Sequence, residues 1–174
     1  MSTGNRAVLK LHRAGGFGTQ KINSHWKTSM QSQALPPQWR ELQMSARQVR
    51  TLAWAPYSGF FVGAALLTKS GEIISGCNVE NASYGLTICA ERTAVCRAVA
   101  MGIREFSAIC VTLAGNPVPC GSCRQFLCEF NPEMLVLLDC ADHAEETPPE
   151  CVLLSDLLPR SFQLKSVDLP ANPR

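Results

Sequence analysis

The chain has 174 residues, of which 46% are hydrophobic and 17% charged, and its formal net charge at pH 7 is +2. This composition provides one compact domain with a proper core and excludes a disordered polymer. A charge so close to neutral argues against a nucleic-acid partner, because phosphate binding normally requires a clearly basic face. No apolar run is long enough to span a bilayer, so no membrane partner is expected.

The nine cysteines form an odd count in a domain of ordinary length. Both facts argue against a secreted disulfide scaffold, and the N-terminus lacks the apolar block of a secretory signal. A reducing, cytoplasmic location is therefore expected. Five cysteines lie in or beside apolar runs and are predicted to be small buried hydrophobes: Cys77, Cys96, Cys110, Cys128 and Cys140.

Residues 1–36 carry basic side chains but no acidic ones, and they are dotted with Gly, Ser, Thr and Asn. They are predicted to form a disordered basic extension, or to reflect a gene start placed too far upstream. A basic, acid-free, serine-containing N-terminus is also typical of an organelle transit peptide, so organelle targeting is the alternative to a cytoplasmic location. Residues 37–174 are predicted to form the functional domain.

Helical periodicity, β-branched runs and Gly or Pro turns divide this domain into elements. The prediction is a helix over 39–53, a hairpin of strands 60–68 and 72–79, a helix over 87–101, a strand over 106–113, a helix over 120–130, a strand over 134–138, a surface loop over 139–150, a short strand over 151–154 and a helical turn over 155–158. Strands that alternate with helices after an opening hairpin indicate an α/β fold. We expect a three-layer sandwich with a mixed central β-sheet flanked by helices.

The stretch from Cys89 to Cys123 contains the residues with the clearest chemistry. Cys89, Cys120 and Cys123 offer soft ligands suited to Zn²⁺, and three protein ligands leave a fourth position open for water. Glu91 is the candidate proton carrier. Because residues two apart point to nearly opposite sides of a helix, Cys89 and Glu91 can converge only off a helix N-terminus. We therefore predict a hydrolase with one zinc ion per subunit, held between two helix N-termini.

Two arginines stand beside the predicted ligands. Arg92 and Arg124 are candidates to donate hydrogen bonds to thiolate sulfurs, which would offset the negative charge of a three-thiolate zinc site. Gln125 is expected to hold an arginine in place. For both arginines the alternative is a solvated surface charge, and Arg92 is favoured for the role at the metal because its helix is apolar throughout.

Two other interpretations of the cysteine cluster are open. One is a closed structural zinc site, which would need a fourth protein ligand; the other is redox use of Cys120 and Cys123. The spacing argues against a closed site, because the first ligand stands alone and is followed two residues later by an acid. Candidates for a fourth ligand are Cys77, Cys96 and His143.

The segments Cys89-Ala90-Glu91 and Pro119-Cys120-Gly121-Ser122-Cys123 match the zinc deaminase signature in its three-cysteine form. The sequence resembles the small, all-cysteine class of cytidine deaminases from about residue 37 to residue 169. The likeness includes a Tyr-Ser-x-Phe-x-Val-Gly-Ala-Ala segment at 57–65, the segment 76–82 and the segment 157–162. One departure is Phe61, which stands where the family usually has proline.

The resemblance implies that Asn78 and Glu80 bind the sugar hydroxyls of a nucleoside. Two residues apart on a strand, they are expected to point to one face, where an amide and a carboxylate can hold a hydroxyl between them. Without the motif, they could equally be polar residues on an exposed strand face.

The resemblance also implies the rest of the pocket. Phe60 and Phe162 would form aromatic walls for the pyrimidine, with Phe162 reaching the pocket from a neighbouring subunit. Tyr84 would lie near the subunit interface, and the backbone of Ala90 would meet the base. The implied assembly is a homotetramer with shared active sites, although on pattern alone either phenylalanine could be ordinary core.

The implied activity is hydrolytic deamination of cytidine and deoxycytidine to uridine and deoxyuridine, with release of ammonia, in pyrimidine salvage. Zinc would activate a water, and Glu91 would carry its proton to the base. One alternative is deamination of a modified or antibiotic cytosine nucleoside, against which Glu80 argues. The other is a non-catalytic, zinc-stabilised interaction protein, against which the presence of Glu91 argues.

Overall fold

The central feature of the structure, a computed structural model that describes residues 36–163, is one five-stranded sheet. In chain order the elements are α1 (Pro37–Arg50), β1 (Gly63–Thr68), β2 (Ile73–Cys77), a 3-10 turn (Tyr84–Leu86), α2 (Ala90–Ala100), β3 (Phe106–Leu113), α3 (Gly121–Cys128), β4 (Leu135–Cys140), β5 (Glu150–Leu153) and α4 (Leu154–Leu157). The strand order is β2-β1-β3-β4-β5. β3 and β4 are parallel, and the other three pairings are antiparallel.

Helices cover both faces of this sheet. Side chains alternate along each strand, so that Leu66 of β1 enters the core beneath α2, α3 and α4, whereas Ala65 enters the core beneath α1. α1 supplies Leu42 and Ala46 to its core, and both are fully buried. The predicted three-layer α/β sandwich with a mixed central sheet is confirmed.

Two strand glycines allow the helices to approach the sheet closely. A Cβ at Gly63 would collide with the backbone of α1 at Ala46 and Arg50. A Cβ at Gly76 would collide with the backbone of α2 at Thr93 and Ala94. Both positions therefore require glycine for space, and Gly76 fixes the distance between β2 and the helix that follows Cys89.

The predicted hairpin is confirmed, but both of its strands are shorter than expected: β1 begins later and β2 ends earlier. β1 begins at Gly63, so the exposed Phe60 and Phe61 lie in the preceding loop. β2 ends at Cys77, because from Val79 onward the chain changes partners and Val79 forms isolated bridges with Trp54 and Ile88. The helix predicted from residue 87 begins only at Ala90, since Ile88 is occupied in that bridge.

The prediction of a surface loop over 139–150 was wrong at both ends, and at its end β5 already begins at Glu150. β4 continues to Cys140, and Asp139 is buried at 1% exposure. Its carboxylate accepts hydrogen bonds of 2.8 Å each from Gln43 Nε2, Arg47 Nε, Arg47 Nη2 and Thr112 Oγ1. These long-range bonds, rather than local pattern, place an acidic residue inside a strand.

All nine cysteines lie among the described residues, and all are free. Cys110 and Cys128 are buried as predicted, whereas Cys77 and Cys140 are half-buried. The prediction for Cys96 was wrong, because that residue is exposed on α2. Within residues 36–163, no helix combines the length and the apolar character needed to cross a bilayer. The predicted extension over 1–36 lies, apart from residue 36, outside the described residues, as do residues 164–174 of the predicted domain.

Candidate active site

Three cysteine sulfurs meet at one end of the helical layer. The Sγ atoms of Cys89, Cys120 and Cys123 all lie within 4.8 Å of one another. Among the described residues, this is the one group of three or more potential metal ligands that converge so closely. Cys123 is fully buried and Cys120 exposed, so the cluster is anchored in the core yet open on one side.

Two helix N-termini build this cluster, as the spacing predicted. Cys89 is the extended residue that caps α2, with φ −71° and ψ 154°, and Cys120 caps α3 in the same conformation, with φ −65° and ψ 162°. Cys123 lies in the first turn of α3. The free N–H groups and dipoles of both helix ends favour negative charge on the sulfurs.

The cluster has the chemistry that a zinc ion requires. Hydrogen bonding from the Cys123 thiol, aided by Arg92, lowers the pKa of Cys89 to about 5 against the opposing effect of burial. Its role as donor to Cys89, together with burial, raises the pKa of Cys123. Three converging thiols, one already inclined to ionise, fit a thiophilic divalent cation with a further coordination position.

The two candidate arginines have different hydrogen-bond partners in the structure. Arg92 Nη2 lies 3.6 Å from Cys89 Sγ and donates a 3.3 Å hydrogen bond to the Thr87 carbonyl. Arg124 instead donates to the carbonyls of Pro119 (2.7 Å) and Leu157 (2.9 Å). The expected bond from Arg124 to a thiolate was therefore wrong.

The carboxyl of Glu91 is held inside the protein beside the cluster. It is only 4% exposed and interacts with the sulfurs of Cys123 and Cys89. Burial raises the pKa of Glu91 above its ordinary value. A carboxyl group in this environment holds a proton more readily than one in water, which suits a group that must accept a proton and give it up again.

The segment with the predicted sugar ligands runs beside the first zinc ligand. Val79 and Ile88 exchange backbone hydrogen bonds of 2.9 and 3.0 Å, which place residues 78–80 alongside residues 87–89. Asn78 is 7% exposed; its Oδ1 accepts from the Val62 N–H (2.9 Å), and its Nδ2 donates to the Phe60 carbonyl (2.8 Å). One N–H of its side-chain amide remains for another acceptor.

Glu80 is half-buried at the edge of this segment. Its carboxylate accepts from the backbone N–H groups of Tyr57 (2.9 Å) and Ser58 (3.2 Å) and from the Ser58 hydroxyl. Hydrogen bonding from Ser58, followed by the Tyr57 N–H, lowers the pKa of Glu80. The loop before β1 therefore holds Glu80 as a carboxylate.

Ser58 is a site residue that the sequence analysis missed. Its hydroxyl donates to Glu80, and its oxygen accepts from the Phe60 N–H at 3.0 Å. One hydroxyl thus connects a predicted sugar ligand to a predicted aromatic wall. The available signal was local, because a serine hydroxyl can accept a hydrogen bond from the backbone N–H two residues later.

The predicted aromatic residues project from the surface of the single chain. Phe60 is 50% exposed, Phe162 69% and Tyr84, in the 3-10 turn, 80%. Ala90 is fully buried as the first residue of α2, directly between Cys89 and Glu91. Phe61, at the position of the departure from the family pattern, is in the loop, and its carbonyl accepts a 3.0 Å bond from Arg50 Nε.

Gln125 occupies a different place from the one expected. It does not hold an arginine; its Nε2 donates to the Phe162 carbonyl (2.8 Å), and its Oε1 accepts from the Phe162 N–H (3.2 Å). The arginine next to it on α3 is Arg124, whose guanidinium donates to the carbonyls of Pro119 and Leu157.

Three converging thiols, a position left open and an adjacent buried carboxyl are the features of the zinc-dependent hydrolytic deaminases. The chain matches the family model described as "Cytidine and deoxycytidylate deaminase zinc-binding region" over residues 37–139. This protein belongs to that family of cytidine and deoxycytidylate deaminases.

Similar proteins support the same assignment. The chain is 42% identical to the cytidine deaminase of Sporosarcina psychrophila over 135 residues, covering 75% of this chain and 96% of the relative. It is 43% identical over 138 residues to the cytidine deaminase of Mycobacterium tuberculosis, covering 78% and 96%. The crystal structure of cytidine deaminase from Burkholderia pseudomallei superposes with a TM-score of 0.65 at 46% identity, covering 70% of this chain and 97% of that one.

Proposed function

We propose that this protein is a zinc-dependent enzyme that deaminates cytidine and deoxycytidine to uridine and deoxyuridine. The observation that carries the proposal is the cluster of Cys89, Cys120 and Cys123 beside the buried carboxyl of Glu91. It occurs in a chain whose family and relatives are cytidine deaminases. The reaction consumes one water and releases one ammonia, and it needs no oxidant and no co-substrate other than water.

Cys89, Cys120 and Cys123 would hold the zinc ion. When bound, zinc supplies Lewis acidity, which lowers the pKa of a coordinated water. Arg92, which contacts Cys89, offsets part of the negative charge of the thiolates.

Glu91 is proposed as the proton carrier. Its carboxylate accepts one proton from the attacking water and delivers it to N3 of the cytosine ring. It then accepts the remaining proton of that water, from the new C4 hydroxyl, and delivers it to the departing amine, which leaves as ammonia. Burial supports this role, because the raised pKa of Glu91 brings the protonated and ionised forms closer in free energy. We propose that the backbone of Ala90, between Cys89 and Glu91, meets the base.

Asn78 and Glu80 are proposed to bind the sugar hydroxyls. Asn78 is fixed by two backbone hydrogen bonds and retains one N–H for a ligand. Glu80 stays ionised through its bonds from Tyr57 and Ser58, and a carboxylate with two oxygens can accept further donors from a ribose. The preformed orientation of both side chains supports a nucleoside substrate over a free base.

A homotetramer with shared active sites is proposed as the assembly. Phe60, Tyr84 and Phe162 are each at least half exposed in the single chain, although large aromatic side chains in such number are usually covered. In the proposed arrangement, Phe60 stacks on the pyrimidine from its own subunit, Phe162 reaches it from a neighbour, and Tyr84 lies near the interface.

A cytoplasmic enzyme of pyrimidine salvage is the proposed cellular setting. Nine free cysteines, with Cys96 and Cys120 exposed, are compatible with a reducing compartment. Organelle targeting through the basic residues 1–36 is the minor alternative. We further propose that residues 37–174 form one deaminase domain; the family match extends over 37–139.

The test is an assay of the purified full-length protein with zinc. Cytidine and deoxycytidine should each lose the ultraviolet absorbance of cytosine and release one ammonia per uridine product. A sample stripped of metal by a chelator should be inactive and should recover when zinc is restored. Absence of both signals with a fully zinc-loaded protein would contradict the proposal, and activity confined to a modified cytosine nucleoside would favour the alternative substrate.

A further inference from the structure

One helix carries both part of the zinc site and the attachment of the C-terminal segment. Gln125, two residues after Cys123 on α3, makes two reciprocal hydrogen bonds with the backbone of Phe162, 37 residues away in the chain. A primary amide is the side chain suited to this, because it offers a donor and an acceptor side by side. The two bonds engage both backbone polar groups of Phe162.

Neighbouring side chains reinforce the attachment. Arg124 Nη1 donates to the Leu157 carbonyl at 2.9 Å, and Gln163 Nε2 lies 4.0 Å from the sulfur of Cys128 on α3. Between these contacts the chain turns through Arg160, which adopts a left-handed conformation with φ 61°. The segment 157–163 is therefore held along α3 at three points.

The backbone of Phe162 is fixed by hydrogen bonds, but its side chain is exposed. The backbone N–H and C=O are both bonded to Gln125, whereas the side chain is 69% exposed. A fixed backbone that presents an exposed aromatic ring is arranged to contact something outside its own chain.

We propose that Gln125 is a positioning residue that sets Phe162 in place for the pyrimidine pocket of a neighbouring subunit. This inference rests on the proposed function, which supplies the role of Phe162. Gln125 touches neither substrate nor metal in this proposal. It acts through Phe162. Because Gln125 is on the helix that Cys120 caps and that carries Cys123, α3 positions both zinc ligands of its own subunit and an aromatic wall of the pocket in a neighbouring subunit.

The kinetic test uses the full-length, zinc-loaded, assembled enzyme. Gln125→Leu removes both hydrogen bonds at similar volume, and we expect KM for cytidine and Ki for uridine to rise about tenfold, with kcat within about twofold. Zinc content and sedimentation should match those of the unmodified enzyme. Gln48→Leu, at an exposed glutamine on α1, is the matched control and should change none of these values.

A double-mutant cycle with Phe162→Ala separates positioning from a general structural role. If Gln125 acts through Phe162, adding Gln125→Leu to Phe162→Ala should raise KM by less than about twofold more. Fully additive effects, or a loss of zinc that accounts for the change, would overturn the proposal. So would an unchanged KM in Gln125→Leu.

A second variant and a second measurement keep the test valid if Gln125→Leu fails to fold or the enzyme has no activity on cytidine. Gln125→Glu keeps the acceptor for the Phe162 N–H but loses the donor to its carbonyl, and KM should rise about threefold. Trypsin should cleave after the exposed Arg160 about fivefold faster in either Gln125 variant, and no faster in Gln48→Leu. Unchanged cleavage refutes the anchoring itself, whereas inactivity of the unmodified enzyme refutes only the proposed function.

Discussion

At the scale of single residues, the site separates side chains that look equivalent in the sequence. Arg92 and Arg124 each directly follow a short segment with a cysteine ligand, yet only Arg92 reaches a sulfur. The difference lies in the partners available: carbonyls of Pro119 and Leu157 surround the guanidinium of Arg124. The spacing of ligands along the chain predicted the cluster, but it could not predict which neighbours compete for each donor.

The first prediction concerns Glu91. Glu91→Gln keeps the size of the side chain but removes its ability to carry a proton, so kcat should fall by a factor of about 1000 while zinc content stays at one per chain. The measurement is steady-state kinetics together with metal analysis. Glu129→Gln, at an exposed residue after α3, serves as the control and should retain activity; a fully active Glu91→Gln enzyme would remove Glu91 from the proposed role.

At the scale of elements, the position of α2 depends on the absence of a side chain. Gly76 of β2 lies against the backbone of α2, and Ala90, Ala94 and Ala98 form a fully buried face of that helix. Small residues on both sides allow the helix with Cys89 and Glu91 at its start to lie close to the sheet.

The second prediction follows from this contact. Gly76→Ala should lower the free energy of unfolding by about 1–3 kcal/mol, because its Cβ would collide with the backbone of α2, which cannot rotate away. Gly85→Ala is the control, since a Cβ there meets nothing within 4 Å. Thermal or urea unfolding at fixed zinc and protein concentration measures both, and equal stability of the two variants would be the contrary result.

The third prediction concerns the bond between α1 and the sheet. Asp139→Asn leaves Arg47 without its charged partner, and we expect the free energy of unfolding to fall by about 3 kcal/mol. The bond to Asp139 is also the main reason that the pKa of Arg47 is raised. Thr112→Val removes one of the bonds to Asp139 and should cost about 1 kcal/mol. Urea unfolding would contradict this account if Thr112→Val were the more damaging change.

The elements also show where sequence patterns are sufficient. β3 was predicted with its observed bounds, residues 106–113. Its sequence is a long apolar run, rich in β-branched residues, with clear turn signals on both sides. The ends of β2 and β4 were missed. In both cases distant partners decide the boundary: Trp54 and Ile88 take over pairing at Val79, and Gln43 and Arg47 satisfy Asp139. Local periodicity contains no information on such partners.

At the scale of the whole molecule, many large apolar side chains are exposed on the single chain. Those that precede Cys89 in the sequence include Trp54, Tyr57, Phe60, Val79, Tyr84, Leu86 and Ile88. Composition could not reveal this, because 46% hydrophobic residues is ordinary for a folded domain. The proposed tetramer would cover such side chains.

The fourth prediction tests that coverage. Leu86, in the 3-10 turn, is 65% exposed, and Leu86→Asp should shift the sedimentation coefficient to that of a smaller species. kcat/KM should fall by at least about 100-fold, because Phe162 would be lost from the neighbouring pocket. Met44→Asp, at a 55% exposed residue on α1, should change neither value. A fully active monomer would contradict the shared pocket.

The distribution of the cysteines along the chain has a consequence for the order of folding. Cys120 and Cys123 are brought together by α3 alone, whereas Cys89 reaches them only when α2 has docked on the sheet, because β3 lies between the two helices in the chain. Contacts between residues distant in sequence form slowly. During refolding, tight zinc uptake should therefore follow the recovery of β-sheet circular dichroism, and uptake that precedes it would reveal that the metal itself guides the chain.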